Sequence, residues 1–197
     1  MKKLTYASGT GSGINAFAPD FAQLRIRVFR EFPYLYEGSE EYEMEYIRTY
    51  AGSENAFLFA VYDEDRMVGA TTCIPLKDET TEVQQPFIDS GQDVNSVFYF
   101  GESMLLPEYR GLGLGHRFFD KRESHARSLN TYSKTAFCAV SRENDHPLKP
   151  RNYRSNESFW RKRGYQQHPE LRCRMSWLDL QQETPTHKEL IFWTKDL

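Results

Sequence analysis

The chain has 197 residues, 39% of them hydrophobic, enough for one domain with a buried core and too few for two full domains. Twenty-five Lys and Arg residues stand against 28 Asp and Glu residues, a formal net charge of −3, so no basic surface supports nucleic-acid binding and any basic site must be local. Cys73, Cys138 and Cys173 are far apart and show neither CxxC nor Cys/His metal spacing, which leaves no metal site and makes a reducing, cytoplasmic setting the default.

The N-terminus MKKLTYASGTGSG lacks an apolar h-region, and no apolar run approaches the roughly 18 residues of a span, so neither an export signal nor a membrane segment is expected. After Pro19-Asp20, Phe21, Leu24, Val28 and Phe32 recur at intervals of three and four, which predicts an amphipathic helix over about 20–31. The connector FPYLYEGS follows. Ser39 then precedes EEYEMEYIRTYAG, with glutamates in the first turn and Gly52 past the end, which predicts a helix over about 40–50.

AFLFAVYD and MVGATTCIPL, separated by Asp63-Glu64-Asp65-Arg66, read as an antiparallel hairpin of largely buried strands, with Cys73 a small apolar core residue. TEVQQPFIDSG allows a short helix before a strand, NSVFYFGESMLL, in which Gly101 hints at a bulge. A glycine-rich turn opens a helix to about Leu129, and TAFCAV, carrying Cys138, is a further strand. The polar loop SRENDHPLKPRNYR, a short helix SNESFWRKR stopped by Gly164, and strands near 170–180 and 189–194 complete the chain. The irregular alternation makes the class α/β (α+β) with a mixed sheet.

The turn itself, LLPEYRGLGLGHRFF, alternates Gly111, Gly113 and Gly115 between a strand and a helix, the arrangement that presents free amide N–H groups and a positive dipole end to an anion. A dinucleotide GxGxxG pattern fails because its last position is His116. A nucleoside-triphosphate loop fails because Arg117 and Phe118 stand where lysine and a hydroxyl are needed. A tight turn without a ligand explains three alternating glycines poorly.

Arg110-Gly111-Leu112-Gly113-Leu114-Gly115 resembles the R/Q-x-x-G-x-G/A signature of the GCN5-related N-acetyltransferases, the GNAT family. Leu105-Leu106-Pro107-Glu108-Tyr109-Arg110 fits the strand end that precedes it there, and Phe159 to Tyr165 fits a late "L-Y-x-x-x-G-F" feature. The resemblance covers about 55–180. It implies one domain over 1–197, a mixed, mostly antiparallel twisted sheet flanked by helices, and a splayed central strand pair forming a CoA cleft. An N-terminal strand and helix pair over 14–52 would border the acceptor.

The resemblance further implies acetyl-CoA as cosubstrate, with its pyrophosphate on the amides of Gly111, Leu112, Gly113, Leu114, Gly115 and His116. Arg110 and Arg117 are the better phosphate contacts among the five Lys and Arg between 110 and 127. The pantetheine arm would pair with backbone of Leu105 and Leu106, one of whose N–H groups would bind the oxyanion.

Acetyl transfer to an amine needs a base and a proton for the thiolate. Glu102, a carboxylate in an apolar strand, is the candidate base or substrate anchor, although strand alternation from Arg110 places it on the wrong face unless a bulge near Gly101 or Ser103 resets the phase. The tyrosine that many family members use as acid is Trp160 here, so Tyr153 is the substitute, ahead of Ser141 and His146. Glu31, Tyr34 and Tyr36 of the connector would line the acceptor and favour a cationic or amphipathic amine.

The expectation is therefore an acetyl-CoA-dependent N-acetyltransferase acting by direct transfer to a primary amine of a small molecule, monomeric or homodimeric, with no nucleic-acid, membrane or metal partner. A non-catalytic acyl-CoA sensing module, or modification of a protein lysine or N-terminus, is the alternative.

Overall fold

The computed structural model describes residues 3–197; Met1 and Lys2, on which the expectations of a single domain over 1–197 and of no export signal also fall, lie outside the described residues. In chain order the elements are β1 (Leu4–Thr10), a 3-10 segment (Gly11–Phe17), α1 (Ala18–Phe29), α2 (Glu40–Gly52), β2 (Phe57–Asp63), β3 (Arg66–Pro75), α3 (Thr81–Asp89), β4 (Val97–Leu105), α4 (Leu114–Ser128), β5 (Lys134–Val140), α5 (Glu157–Lys162), β6 (Gln166–Trp177) and β7 (Thr186–Asp196).

The strands form one mixed sheet in the order β1-β2-β3-β4-β5-β7-β6, antiparallel at every junction except β4 with β5. That one parallel junction is short. Val97, Phe98 and Tyr99 pair with Lys134, Thr135 and Ala136, after which β4 continues to Leu105 and β5 to Val140 without pairing. The strands part there and open the cleft that the family resemblance implied.

Alternation along β4 assigns its residues to two cores. Phe98 and Phe100 face α4 and α5 in an aromatic cluster with Phe119, Phe137, Tyr165 and Trp193, where apolar burial and edge-on ring contacts such as Phe100 to Phe119 at 6.1 Å supply the packing. Tyr99 faces the other way, into the cluster that α1, α2 and α3 cover. Trp160, at the place of the family tyrosine, packs on Phe137 and Trp193 at 5.0 and 5.2 Å and is an aromatic core residue.

Local signals explain the helices. Pro19 sits at the start of α1, where its missing N–H costs nothing. Ser39 caps α2 by accepting the Tyr42 N–H at 3.3 Å, and Glu40, Glu41 and Glu43 complement the dipole. The N-terminal strand is a correction. Residue 14 lies in the 3-10 segment, and the strand is Leu4–Thr10, paired in register with β2. LTYASGT is an edge strand covered by one neighbour, so its small and polar residues carry no apolar pattern of the kind that marks β2 and β3. Among the described residues no helix is long and apolar enough to cross a membrane.

Candidate active site

The donor side is built from the end of β4, the glycine turn and the start of α4. Leu106 N–H donates to Val68 C=O at 3.0 Å, so this amide belongs to the sheet and is not available to an oxyanion. Backbone groups alternate along an antiparallel ladder. The Leu105 amide therefore points to the opposite edge of β4, into the gap beside β5. The Leu105 carbonyl is held from outside by Arg110, whose Nε and Nη2 donate to it at 3.2 and 3.1 Å.

Gly111 and Gly113 both have φ of +78°, a left-handed conformation that disfavours a side chain, and a Cβ at either would meet nothing within 4 Å. The turn is open on the outside. Gly113 caps α4 without a side-chain hydrogen bond, no acidic residue lies in the first turn, and the first α-helical bond there is Arg117 N–H to Gly113 C=O at 3.3 Å. The amides of Leu114, Gly115 and His116 precede that bond, as the opening N–H groups of a helix do, and with the dipole they fit an anion. Phe159 of α5 stands 4.9 Å from His116 and borders Gly115. A shallow depression of about 600 Å³ beside it is lined by Ser155, Glu157, Ser158, Arg161 and Lys162.

Neither predicted phosphate arginine points into the turn. Arg110 pairs with Glu31 at 2.9 Å, and Arg117 lies over the Tyr6 ring at 4.3 Å. Leu112 is exposed, whereas Leu114 is buried under the turn.

Glu102 faces α1 and α2, and a bulge is the reason. Ser103 pairs with Thr71 and Phe100 with Cys73, so Gly101 and Glu102 together oppose Thr72. A Cβ on Gly101 would meet Tyr50 of α2, and the Glu102 side chain reaches Arg25 and Tyr46 on the same side. The bulge therefore resets the alternation that would have sent Glu102 into the aromatic core.

Glu102 is 5% exposed and fully engaged: Arg25 Nε donates to Oε1 at 3.1 Å, Tyr46 Oη to Oε1 at 2.5 Å and Thr72 Oγ1 to Oε2 at 2.5 Å. Arg25 also binds Glu43 Oε2 at 2.5 Å, and its ring contact with Tyr46 is 3.9 Å. Burial opposes the Arg25 charge, but Glu102, Tyr46 and Glu43 outweigh it and hold the guanidinium charged. Glu79 completes the group, accepting from Tyr50 Oη at 2.8 Å. Arg25 thus pairs with two carboxylates, Glu79 joins the group through Tyr50, and Glu43 Oε1 is buried without a hydrogen-bond partner.

The acceptor side is closed by the connector. Burial raises the Tyr34 phenol, with Cys138 and Glu102 adding to the rise. It packs 4.4 Å from Phe29 and 6.0 Å from Trp177. Tyr36 is half-buried, and burial followed by a hydrogen bond to Glu43 raises its phenol as well. Glu31 and Glu37 are both spent on surface pairs with Arg110 and Arg30. The carboxylates buried under the connector are therefore Glu43 and Glu102, not those of the connector itself.

Tyr153 stands edge-on to Phe32 at 4.7 Å, and His146 lies 5.8 Å from the same ring. Burial raises the Tyr153 phenol, with Glu157 adding to it. Where the strands part, Tyr99 Oη is 3.1 Å from Cys138 Sγ, and burial keeps that phenol protonated.

Sequence reasoning did not find Arg25, Glu43, Tyr50, Glu79 or Arg142. One signal was present: Glu43, Ile47 and Tyr50 form the buried stripe of α2 at helical spacing, so a glutamate occupies an apolar position.

An open glycine turn at a helix start, beside a gap between parallel strands and a buried carboxylate, is an arrangement suited to an anionic group at the turn. The acetyltransferase (GNAT) family profile matches residues 21–149, and the chain belongs to that family of acetyl-CoA-dependent acetyltransferases. No curated protein sequence matches the chain. Its fold is similar to an acetyltransferase from Streptococcus agalactiae at 13% identity, with 100% of both chains covered and a TM-score of 0.62. Ribosomal-protein-alanine N-acetyltransferase from Brucella melitensis is similar at 11% identity over 98% of this chain and 99% of that one, TM-score 0.62. NAA60 from Arabidopsis thaliana, solved with a bisubstrate analogue, is similar at 10% identity over 99% of each chain, TM-score 0.60.

Proposed function

We propose that the chain transfers the acetyl group of acetyl-CoA directly to the primary amine of a small molecule within one domain. The observation that carries the small acceptor is the closure of the cleft mouth. Tyr36 bridges Asp179, Glu37 N–H donates to Leu178 C=O at 2.8 Å, Leu180 N–H donates to Leu35 C=O at 2.7 Å, and Trp177 Nε1 donates to Tyr34 C=O at 3.1 Å. The β6–β7 hairpin is thereby joined to the connector, and a polypeptide lying across the mouth would have to break these bonds.

In this reading the amides from Gly111 to His116 cradle the pyrophosphate, and the Leu105 N–H stabilises the tetrahedral oxyanion. Glu102 takes the proton of the incoming amine, the Tyr153 hydroxyl supplies one to the departing thiolate, and Tyr34 and Tyr36 line the acceptor. Rings of Phe29, Tyr34 and Trp177 beside Glu43 and Glu102 suit a cation with an apolar body.

A polypeptide amine is the second reading, because the Brucella relative is named for ribosomal-protein alanine. Thiol release from acetyl-CoA across arylalkylamines, polyamines, amino acids and short peptides separates the two. Turnover confined to small amines is expected. Turnover confined to peptides would replace the small-molecule reading, and none at all would overturn both.

A further inference from the structure

Glu102 is one end of a continuous line of hydroxyl groups. Tyr46 Oη lies 2.5 Å from Glu102 Oε1 and 3.2 Å from Tyr50 Oη, and Tyr50 Oη donates to Glu79 Oε1 at 2.8 Å. Tyr46 and Tyr50 are one turn apart on α2, so their rings meet at 5.5 Å and their hydroxyls align. Glu79 sits just after β3, where its other oxygen accepts the Thr80 N–H at 2.9 Å. Tyr50 is 0% and Glu79 8% exposed, so the line is sealed from water at its Tyr50–Glu79 end, while Tyr46 is partly exposed.

We propose that this line is a proton relay in which Glu102 passes the acceptor amine's proton through the hydroxyls of Tyr46 and Tyr50 to Glu79, an inference that rests on Glu102 being the base. An ammonium N–H bond breaks, its electron pair stays on nitrogen, and an O–H bond forms on Glu102. The Tyr46 hydrogen, donated to Glu102 while that carboxylate is ionised, turns to Tyr50 once Glu102 is protonated; Glu102 then gives its proton to the Tyr46 oxygen as Tyr46 gives its own to Tyr50 and Tyr50 its own to Glu79. Both tyrosines end neutral, Glu102 is again a carboxylate, and Glu79 holds the proton.

The surroundings set the direction. Glu102 is bound to the Arg25 cation of α1, whereas Glu79 is bound to a neutral amide and a neutral hydroxyl, so an added proton rests at Glu79. The other titratable groups that interact with the line include Glu43 of α2, Tyr34 of the connector, Tyr99 of β4, Arg122 of α4 and Cys173 of β6. Burial raises the Glu79 carboxyl, the Thr80 N–H and Tyr50 hydroxyl oppose the rise, and Glu102 adds to it. Burial also raises both relay phenols, which therefore conduct as hydroxyls and do not trap a charge.

The test follows the glutamate carboxyl carbons by ¹³C NMR against pH in the acceptor-free protein, with Glu79→Gln and Glu102→Gln for assignment. Glu79 is expected to protonate at higher pH than a solvated glutamate, the Glu102 signal is expected to respond in the same step, and Tyr50→Phe is expected to abolish that response. An unresponsive Glu102 in the wild type, or a response that survives Tyr50→Phe, would overturn the relay, because coupling through space does not need the hydroxyl. In turnover of a panel amine, Tyr50→Phe and Glu79→Gln are expected to lower kcat on the order of tenfold with unchanged KM for acetyl-CoA. The rate's dependence on deuterium fraction should change from curved to linear. If Glu102→Gln is slow while those two variants turn over normally, the relay fails and the base stands; normal turnover in Glu102→Gln removes the base itself.

Discussion

Arg142 holds the Asp179 carboxylate through two hydrogen bonds of 2.8 Å, and the same guanidinium donates to the carbonyls of Pro33 and Tyr34 at 2.8 Å each. One side chain from the loop after β5 therefore ties the connector to the β6–β7 hairpin. Arg142 and Asp179 are 11% and 12% exposed, so removing the arginine leaves the nearly buried Asp179 with Lys188 as its remaining cation and takes the side-chain donor from the Pro33 carbonyl. Arg142→Met is expected to lower stability by about 3 kcal/mol. Because the connector carbonyls of Pro33 and Tyr34 lose Arg142, leaving Trp177 as the side-chain donor to Tyr34, the acceptor KM should rise while affinity for CoA is unchanged. Urea unfolding and steady-state kinetics check the two effects.

The same pair gives a pH dependence with a definite sign. Burial alone would raise the Asp179 carboxyl, but hydrogen bonds from Arg142 and Lys188 outweigh it and hold it below the ordinary aspartate value. A depressed carboxyl contributes stability that is complete above its unfolded pKa of about 3.9 and is lost as pH falls through the lower folded value. The stability gap between wild type and Arg142→Met should be full at neutral pH and shrink only in the strongly acid range. A gap that closed near neutrality would assign it to another group.

The donor half of the site was legible in the sequence because the glycine turn is local: strand end, glycines and helix start are consecutive residues. The acceptor half was not. Arg25, Glu43 and Glu102 come from three elements, Glu79 from the segment between β3 and α3, and they meet only through tertiary packing. The phase of Glu102 hung on a single bulge, and glycine at 101 hinted at that bulge without fixing it. The connector residues were located, yet their carboxylates could not be told from surface ion pairs until the partners Arg110 and Arg30 were in place.

Gly113 offers a test that separates binding from folding. Its φ is +78°, which strains any side chain, but a Cβ there meets no atom within 4 Å and aspartate is among the residues that visit this conformation. Gly113→Asp should therefore cost about 1–2 kcal/mol of stability. It would nevertheless set a carboxylate against the pyrophosphate, so calorimetric CoA binding should be lost. Retained affinity would move the phosphate site away from this turn.

Glu102→Gln keeps the size of the side chain and removes its charge and basicity. CoA affinity should hold, since the glycine turn is a separate part of the site, while transfer slows on the order of 100-fold. Rapid-quench or thiol-release kinetics, with CoA calorimetry alongside, measure both. Stability should also fall, because Arg25 would face Glu43 with one of its two carboxylate partners neutralised.

Gly101 is where the bulge can be tested. A Cβ at 101 would run into Tyr50 Oη and stand 2.6 Å from Thr72 Oγ1, both members of the network that grips Glu102. Gly101 has a negative φ, so alanine suits the backbone and its penalty is steric. Gly101→Ala should therefore cost about 1–3 kcal/mol through forced displacement of Tyr50 or Thr72. It should slow transfer along with the loss of stability, whereas Gly52→Ala, at the end of α2 with no atom within 4 Å of an added Cβ, should affect neither. Wild-type stability and rate in Gly101→Ala would mean that the bulge does not need a bare backbone there, and that the position of Glu102 is set by Arg25 and Tyr46 alone.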